Sequence, residues 1–297
     1  MRRILFVGDL SWDMSFLTPH VPDPDEKVHV HDFVEGLGGI ACNAAVAARR
    51  AGADVTFVGV RGTDPLSLGA ATALDASGID ARLAVRAGSI CRVVTMIEPH
   101  GEKRLLLYPG VSLYPETDEL GQIDWARVNH LHTAIYGASG PALISAARDH
   151  GTTWSLDLEP STFPNGIADL APVLEGAEVL FLNDRAADAI GGDVVSTLLG
   201  MGARSIVRSR GPQGATWTDG HDTVAVPAPA TGTIVDTTGA GDCLAGWYLA
   251  GLARGLPPHA ALKDAVHAAS LSCRAVGAQA GCPTQHELDI SKETAPL

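Results

Sequence analysis

The sequence has few features of a membrane protein or a nucleic-acid-binding protein. No apolar run approaches the roughly 18 residues that a membrane-spanning helix needs. Positive charge is scarce, since 21 Lys and Arg compare with 34 Asp and Glu, giving a formal net charge of −13. Because nucleic acids and anionic membranes bind basic surfaces, we expect neither as a partner.

Cysteine is scarce as well, and its pattern excludes two kinds of site. The chain has 5 cysteines, an odd number, and no C-x-x-C pair. This pattern favours reduced thiols over a disulfide framework or a zinc site. The apolar run at Ile4 to Val7 is too short for an export signal. We therefore expect a cytoplasmic protein.

Several common catalytic motifs are absent. No Gly precedes any of the four lysines, so the chain lacks the G-K-[ST] of a P-loop, and neither G-x-S-x-G nor H-E-x-x-H occurs. The spacing Gly36-x-Gly38-x-x-Ala41 fits a loose dinucleotide fingerprint. That fingerprint requires an acidic residue at the end of the next strand, where this chain has Val60-Arg61. The sequence therefore disfavours a dinucleotide site.

The hydrophobic pattern alternates between buried strands and helices. Strand-like runs lie at 4–7, 55–60, 131–136, 153–158, 179–182 and 205–209. Helical patterns lie at 41–51, 66–76, 141–149 and 194–201, after Asp242, and last at 258–276. This alternation predicts an α/β fold whose mostly parallel central sheet has helices on both faces.

A second, smaller sheet is predicted from three other segments. Residues 28–34 alternate polar and apolar side chains, and 91–98 and 102–108 are strand-like runs joined by Pro99-His100-Gly101. We expect one domain over residues 1–297, with this small sheet formed by about 13–35 and 90–109.

The most informative stretch is D-T-T-G-A-G-D at residues 236–242, followed by a helical pattern. The free N–H groups at a helix start attract anions, and glycines let an anion approach them closely. Asp242 at this position could accept a proton from a hydroxyl that attacks a bound phosphoryl group. A cap followed by a simple turn would explain the same residues, so the stretch does not decide alone.

The whole stretch resembles the D-T-x-G-A-G-D signature of the ribokinase-like (PfkB) carbohydrate kinases at every fixed position. Residues 38–43 are similar to the family's G-G-x-x-x-N motif, 207–215 to its nucleotide-binding strand and turn, and 277–281 to its cation-binding tail. The resemblance covers nearly the whole chain. It implies a ribokinase-like fold in which the small sheet is a lid.

The resemblance also implies roles for individual residues. Asp242 would be the catalytic base, and the amides of Gly239, Ala240 and Gly241 the anion hole. The substrate would contact Asp13, Gly38, Gly39 and Asn43, and Arg92 would suit an acidic or phosphorylated sugar. Glu159 is either a sugar contact or an ordinary loop acid. The implied ATP-binding residues are Asn183, Ser209, Gly211, Gly214, Thr238 and His267. The implied ligands of a monovalent cation such as K⁺ are Asp236, Thr238, Ser272, Gly277 and Gly281.

One departure from the family concerns Mg²⁺. The family's N-x-x-E motif reads Asn183-Asp184-Arg185-Ala186 here, so the Glu is replaced by Ala186. Asp184 could substitute from a neighbouring position. Mg²⁺ is still expected with ATP, because it neutralises the β and γ phosphates.

The resemblance implies an ATP-dependent phosphotransferase acting on a hydroxyl of a small sugar or sugar acid. We expect a ketose, a fructose-like sugar or a 2-keto-3-deoxy sugar. Ile40 stands where ribokinases carry Lys, which disfavours ribose. Two alternatives stay open: a nucleoside kinase of the adenosine kinase type, and a non-catalytic sensor, which Ala186 suggests. The alternating strand at 28–34 also suggests a homodimer through the lid.

Overall fold

The structure is a computed structural model and describes residues 2–99 and 102–294. In chain order the strands are β1 (Arg3–Val7), β2 (Ser11–Leu17), β3 (Asp32–Gly38), β4 (Asp54–Arg61), β5 (Asp80–Val85), β6 (Cys91–Ile97), β7 (Lys103–Tyr108), β8 (His130–Ala134), β9 (Thr153–Leu158), β10 (Val179–Leu182), β11 (Ile206–Ser209), β12 (Ala215–Thr218) and β13 (Thr223–Val226). The α-helices are α1 (Ile40–Arg50), α2 (Pro65–Ala76), α3 (Gly140–Asp149), α4 (Ala171–Leu174), α5 (Asp184–Ile190), α6 (Val194–Gly200), α7 (Ala240–Ala253), α8 (Pro258–Ser272) and α9 (Gln285–Thr294).

The large sheet has the strand order β13-β12-β11-β10-β9-β8-β1-β4-β5. All neighbours from β11 to β5 are parallel, and β12 and β13 add an antiparallel edge. The first part of the chain places β4 and β5 on one side of β1, and the later part places β8 to β13 on the other side. In such sheets, polar groups at the carboxyl ends near the point of reversal form the binding crevice.

Helices cover both faces of this sheet, as the sequence predicted. Alternate residues of β1 enter different cores: Ile4 and Phe6 pack on the side of α1, α7 and α8, whereas Leu5 and Val7 pack on the side of α3. Helices α1 and α7 approach closely, because a Cβ at Gly246 would lie 2.3 Å from the carbonyl oxygen of Ala44. This close packing brings the first turns of the two helices together.

The small sheet has the order β3-β2-β6-β7, and its predicted first strand was wrong in position. Strand β3 begins at Asp32 rather than residue 28, and it pairs with β2, which was not predicted. Gly36 and Gly38, the glycines of the loose dinucleotide fingerprint, both lie within β3. Gly38 is a glycine within a strand because a Cβ there would lie 2.1 Å from the carboxylate of Asp13, which leaves no space for a side chain.

Other boundaries also differ from the predictions. The helix expected at 258–276 ends at Ser272 and is not the last, because α9 follows it. Strand β5 and helix α5 were not predicted. The turn residues His100 and Gly101 lie outside the described residues, although β6 and β7 do form the expected antiparallel pair. Within residues 2–99 and 102–294, no helix has the length and apolarity to cross a bilayer.

Candidate active site

Asp242 lies in the first turn of α7, directly after Gly239, Ala240 and Gly241, which together are called the glycine turn. Gly239 caps the helix with φ +72°, and a Cβ there would lie 2.5 Å from the carbonyl oxygen of Ala278. A Cβ at Gly241, by contrast, would have no atom within 4 Å. The N–H groups of a first helical turn have no partners within the helix, so an anion can approach them here.

A chain of amide hydrogen bonds fixes the Asp242 carboxylate. Nδ2 of Asn43, in α1, donates to Oδ2 of Asp242 at 2.8 Å. Nε2 of Gln279 in turn donates to Oδ1 of Asn43 at 2.8 Å. Asn43 thus contacts Asp242 directly, and the buried amide is satisfied at both ends.

Asp242 lines a narrow cleft at the carboxyl ends of β9, β10 and β11. The polar residues lining it are Asp157, Glu159, Asn183, Ser209 and Asp242. Burial, followed by the charge of Asp157, raises the pKa of Asp242 well above its ordinary value. Burial and the charge of Glu159 raise the pKa of Asp157 to about 8. These carboxyl groups repel one another, so the cleft suits a cation.

Asp13, Gly38 and Gly39 lie together beside the end of β1. Ser11 Oγ donates to Asp13 Oδ1 at 2.6 Å, and burial raises the pKa of Asp13 to about 6. Gly39 has φ +102°, and a Cβ there would lie 2.5 Å from the carbonyl oxygen of Asp9. The Asp9 carboxylate accepts the Ile40 and Ala41 N–H groups at 2.8 and 3.0 Å, which fixes the start of α1.

The charges of Asp13 and Asp242 both act on one buried thiol, that of Cys42. Burial raises the pKa of the Cys42 thiol, and the charges of Asp9, Asp13 and Asp242 raise it further. Cys42 therefore lies within electrostatic reach of both the predicted sugar ligand Asp13 and the predicted base Asp242.

Arg92 and His267 are two predicted site residues that do not line this cleft. Arg92 pairs with Asp64 at 2.9 Å, and its register opposite Trp12 turns it to the face of the small sheet away from Asp13. The ring of His267 bonds Ser291 of α9 at 2.9 Å, and His267 is not among the described residues that line the cleft. Sequence position placed both residues near the site, but strand alternation and the unpredicted α9 direct them elsewhere.

The predicted nucleotide turn is compact. Arg210 N–H donates to the Gly214 carbonyl at 2.8 Å, and Gly211 and Gly214 both have positive φ. Asn183 caps α5 by accepting the Ala186 N–H at 2.9 Å. Ser209 and Asn183 line the Asp242 cleft directly.

The structure does not support Asp184 as a substitute for the missing Glu. Its carboxylate pairs with Nε and Nη2 of Arg208 at 2.8 and 2.6 Å. Ala186 itself is fully buried against the core.

The predicted cation ligands Asp236, Thr238 and Gly277 do meet. Asp236 Oδ1 accepts the Thr238 N–H and hydroxyl at 2.9 and 2.7 Å, and Oδ2 accepts the Gly277 N–H at 2.9 Å. The Ser272 hydroxyl instead donates to the Ala269 carbonyl at 2.8 Å. A Cβ at Gly281 would lie 2.2 Å from the Ser272 carbonyl oxygen, so the tail packs closely on α8.

Sequence reasoning missed four polar residues at the site: Asp9, Lys103, Asp157 and Gln279. Asp9 and Asp157 could have been found, because each is acidic and lies at or just after the carboxyl end of a buried strand. Gln279 and Lys103 carry no such signal, since they reach the site only through the tertiary packing of the tail and the small sheet.

Comparison with known proteins agrees with this arrangement. An ATP-dependent ribose-1-phosphate kinase from Halopiger xanaduensis is 27% identical over 259 residues, which are 84% of each chain. A ribokinase from Bacillus subtilis is 26% identical over 295 residues, covering 97% of this chain and 99% of its own. Both relatives are kinases of small sugars by name.

Two solved structures share the fold. Arabidopsis thaliana ribokinase, complexed with ribose and ATP, aligns with a TM-score of 0.84 at 18% identity over 99% of each chain. A Burkholderia thailandensis nucleoside kinase in complex with inosine aligns with a TM-score of 0.83 at 20% identity, over 99% of this chain and 96% of its own.

The family model described as "pfkB family carbohydrate kinase" matches residues 1–285. The match spans the small sheet, the glycine turn and the acidic cleft. The ribokinase-like fold predicted from the sequence is confirmed, and the chain belongs to the PfkB family of carbohydrate kinases, phosphotransferases that act on an alcohol group.

Proposed function

We propose that this protein transfers the γ-phosphoryl group of ATP to a hydroxyl of a small sugar or sugar acid, with Asp242 as the general base. One observation carries the proposal. The Asp242 carboxylate is held by Asn43 at 2.8 Å in the same helical turn as the open Gly241 position. A base and an anion-binding turn therefore adjoin one cleft, as in-line phosphoryl transfer requires.

The acceptor sugar binds between the small sheet and the end of β1. Asp13, Gly38 and Gly39 hold its hydroxyls, and Asn43 positions the base rather than only the sugar. The raised pKa of Asp242 makes its carboxylate a stronger proton acceptor once the group is ionised. The small sheet serves as a lid that excludes water from the phosphoryl group.

Asp157 and Glu159 are the residues we propose for Mg²⁺. Their carboxyl groups share the cleft with Asp242, and burial raises the pKa of each. Mg²⁺ prefers carboxylate and water oxygens, and it would supply charge neutralisation for the phosphates. This pair would replace the family Glu that is Ala186 here. ATP itself would lie along Asn183, Ser209 and the 211–214 turn.

A nucleoside is the second candidate acceptor. By strand register, Leu105 and Leu107 share the inner face of the small sheet with Lys103, and both are exposed. An apolar surface on that face suits a base or another apolar group better than a hydroxyl-rich sugar. The Burkholderia thailandensis nucleoside kinase binds inosine, so inosine has to be tested as an acceptor for this protein.

The test is an ATP-turnover screen over ribose, ribose 1-phosphate, fructose, 2-keto-3-deoxygluconate, inosine and adenosine. We expect one sugar class to be phosphorylated, with Asp242→Asn lowering kcat by roughly a thousandfold or more while ATP binding persists. Exposed Asp188→Asn is the matched control. Turnover retained in Asp242→Asn, or inosine outperforming every sugar, would overturn the assignment. ATP and sugar binding without turnover would favour the sensor alternative.

We also infer a homodimer through the outer face of the small sheet. By register this face carries Phe33 in β3 and Leu106 and Tyr108 in β7, the two edge strands of the small sheet, and these residues are 44%, 63% and 55% exposed. Exposed apolar side chains grouped on one face of a sheet favour a protein partner, and a second copy offers a matching surface.

A further inference from the structure

Lys103 reaches from the small sheet to Asp236 and Thr238, in the segment that leads into the glycine turn before α7. It is the first residue of β7, and its Nζ lies 2.9 Å from Asp236 Oδ1 and donates to Thr238 Oγ1 at 2.8 Å. The Lys103 side chain is only 18% exposed, and that of Asp236 is 0% exposed. A partly buried ammonium thus contacts a fully buried carboxylate three residues before Gly239.

These contacts decide whether Asp236 suits a free monovalent cation. Its two oxygens already accept the N–H groups of Thr238 and Gly277 and the Thr238 hydroxyl, and the remaining contact is to Lys103. Burial would raise the pKa of Asp236, but the Gly277 and Thr238 hydrogen bonds and the Lys103 charge hold it below its ordinary value. A second cation at this carboxylate would be repelled by the ammonium. The residues present therefore do not fit K⁺ at Asp236.

We propose that the Lys103 ammonium acts as a built-in monovalent cation for the glycine turn, so that the protein needs no K⁺. The ammonium supplies the positive charge that holds Asp236 and Thr238 in place, and these residues precede the amides that grip the phosphate. Because Lys103 belongs to the small sheet, this charge reaches Asp236 only when the small sheet is docked against residues 236–239, which precede α7. This inference rests on the proposed kinase function.

Lys103 is a positioning residue, because it acts on the glycine turn through Asp236 and Thr238. The N–H groups of Val235 and Asp236 also donate to the Cys273 carbonyl, so the segment is anchored at the carboxyl end of α8 as well. Docking of β7 completes a network that joins the small sheet, the glycine turn and α8. Loss of the ammonium would leave a buried carboxylate without its counter-charge, which is costly.

The test compares potassium chloride with choline chloride at matched ionic strength, measuring kcat and the thermal midpoint Tm. In wild type we expect both to be the same in the two salts. In Lys103→Ala we expect kcat to fall about tenfold or more in choline and to recover with K⁺ or NH₄⁺, because a small cation can fill the vacated position. Tm should likewise rise with K⁺ only in this variant.

Lys292→Ala is the matched control, because it removes another Lys–Asp pair, to Asp264 at 2.7 Å, away from the glycine turn. It should lower Tm without any response to K⁺. Strong activation or stabilisation of wild type by K⁺, or a Lys103→Ala protein that is indifferent to K⁺, would overturn the proposal. The Tm comparison needs no acceptor, so it stands even if the kinase assay finds no substrate.

Discussion

Asn43 donates a hydrogen bond of 2.8 Å to Asp242, joining α1 and α7 across 199 positions of sequence. The two helices can meet there because Gly246 gives the Ala44 backbone room to approach. Burial raises the pKa of Asp242, and the Asn43 bond opposes that rise by stabilising the ionised form. One amide therefore controls both the position and the proton affinity of the proposed base.

Replacing Asn43 by Leu should lower kcat about 10- to 100-fold at neutral pH, because Leu preserves the volume but removes the donor. The pKa of Asp242 should rise further, so the acid limb of the pH–kcat profile should move to higher pH. The measurement is a pH profile of ATP turnover with saturating acceptor.

Gln279→Leu is the comparison for this variant, since it removes the contact one step farther from Asp242. It should produce a smaller shift in the same direction. An unchanged pH profile in Asn43→Leu would contradict the positioning role, even if its kcat were lower.

Replacing Gly38 by Ala should raise KM for the acceptor about tenfold or more with little change in KM for ATP. The added Cβ would lie 2.1 Å from the Asp13 carboxylate, so Asp13 must move. Gly36→Ala is a matched control in the same strand, because a Cβ there would meet no atom within 4 Å. Equal acceptor KM values for the two variants would exclude Asp13 as a sugar ligand.

Most parallel strands of the large sheet were predictable because they are largely apolar runs with clear ends, as at Val179–Leu182. The D-T-T-G-A-G-D stretch pointed to the proposed base and anion-binding turn through its resemblance to the PfkB signature. Both signals are local in sequence, so no tertiary information was needed.

The small sheet was less predictable because its pattern is shaped by the site. Glycines are common in turns, yet Gly36 and Gly38 both lie in β3, and only at Gly38 does the Asp13 side chain need the space of a missing Cβ. Likewise Arg92 and Lys103 are both basic residues of the small sheet, and only strand register shows that they face opposite sides. Pairing between strands that are distant in sequence determines which face of the small sheet each side chain occupies, and the sequence alone does not show this pairing.

Replacing Asp157 by Asn should flatten the dependence of stability on pH. Burial raises the pKa of Asp157 to about 8 from an unfolded value of 3.8, so between these values the folded state binds more protons than the unfolded state. Wild-type stability should therefore be greatest at low pH and fall as pH rises toward 8, as far as this group contributes. The variant should lose less Tm over that range, and its KM for MgATP should rise if Asp157 serves Mg²⁺.

Thermal unfolding at several pH values in the presence of EDTA measures this effect, and Asp188→Asn on the exposed side of α5 is the control. Added Mg²⁺ should stabilise wild type more than Asp157→Asn, because the metal binds the folded carboxylates. Parallel pH curves for wild type and Asp157→Asn would contradict the prediction, because they would mean that folding does not raise the pKa of Asp157.

The proposed dimer can be tested with two leucines that are adjacent in β7 and point to opposite faces. Leu106 pairs with Val94 on the outer face, and Leu107 pairs with Val93 on the inner face; their exposed fractions are 63% and 56%. Leu106→Glu should convert a dimer to a monomer in analytical ultracentrifugation, because a charge would be buried against an apolar surface. Leu107→Glu adds the same charge at similar exposure and should leave the mass unchanged. A monomeric wild type, or equal effects of the two substitutions, would mean that the outer face of the small sheet does not join two copies of the chain.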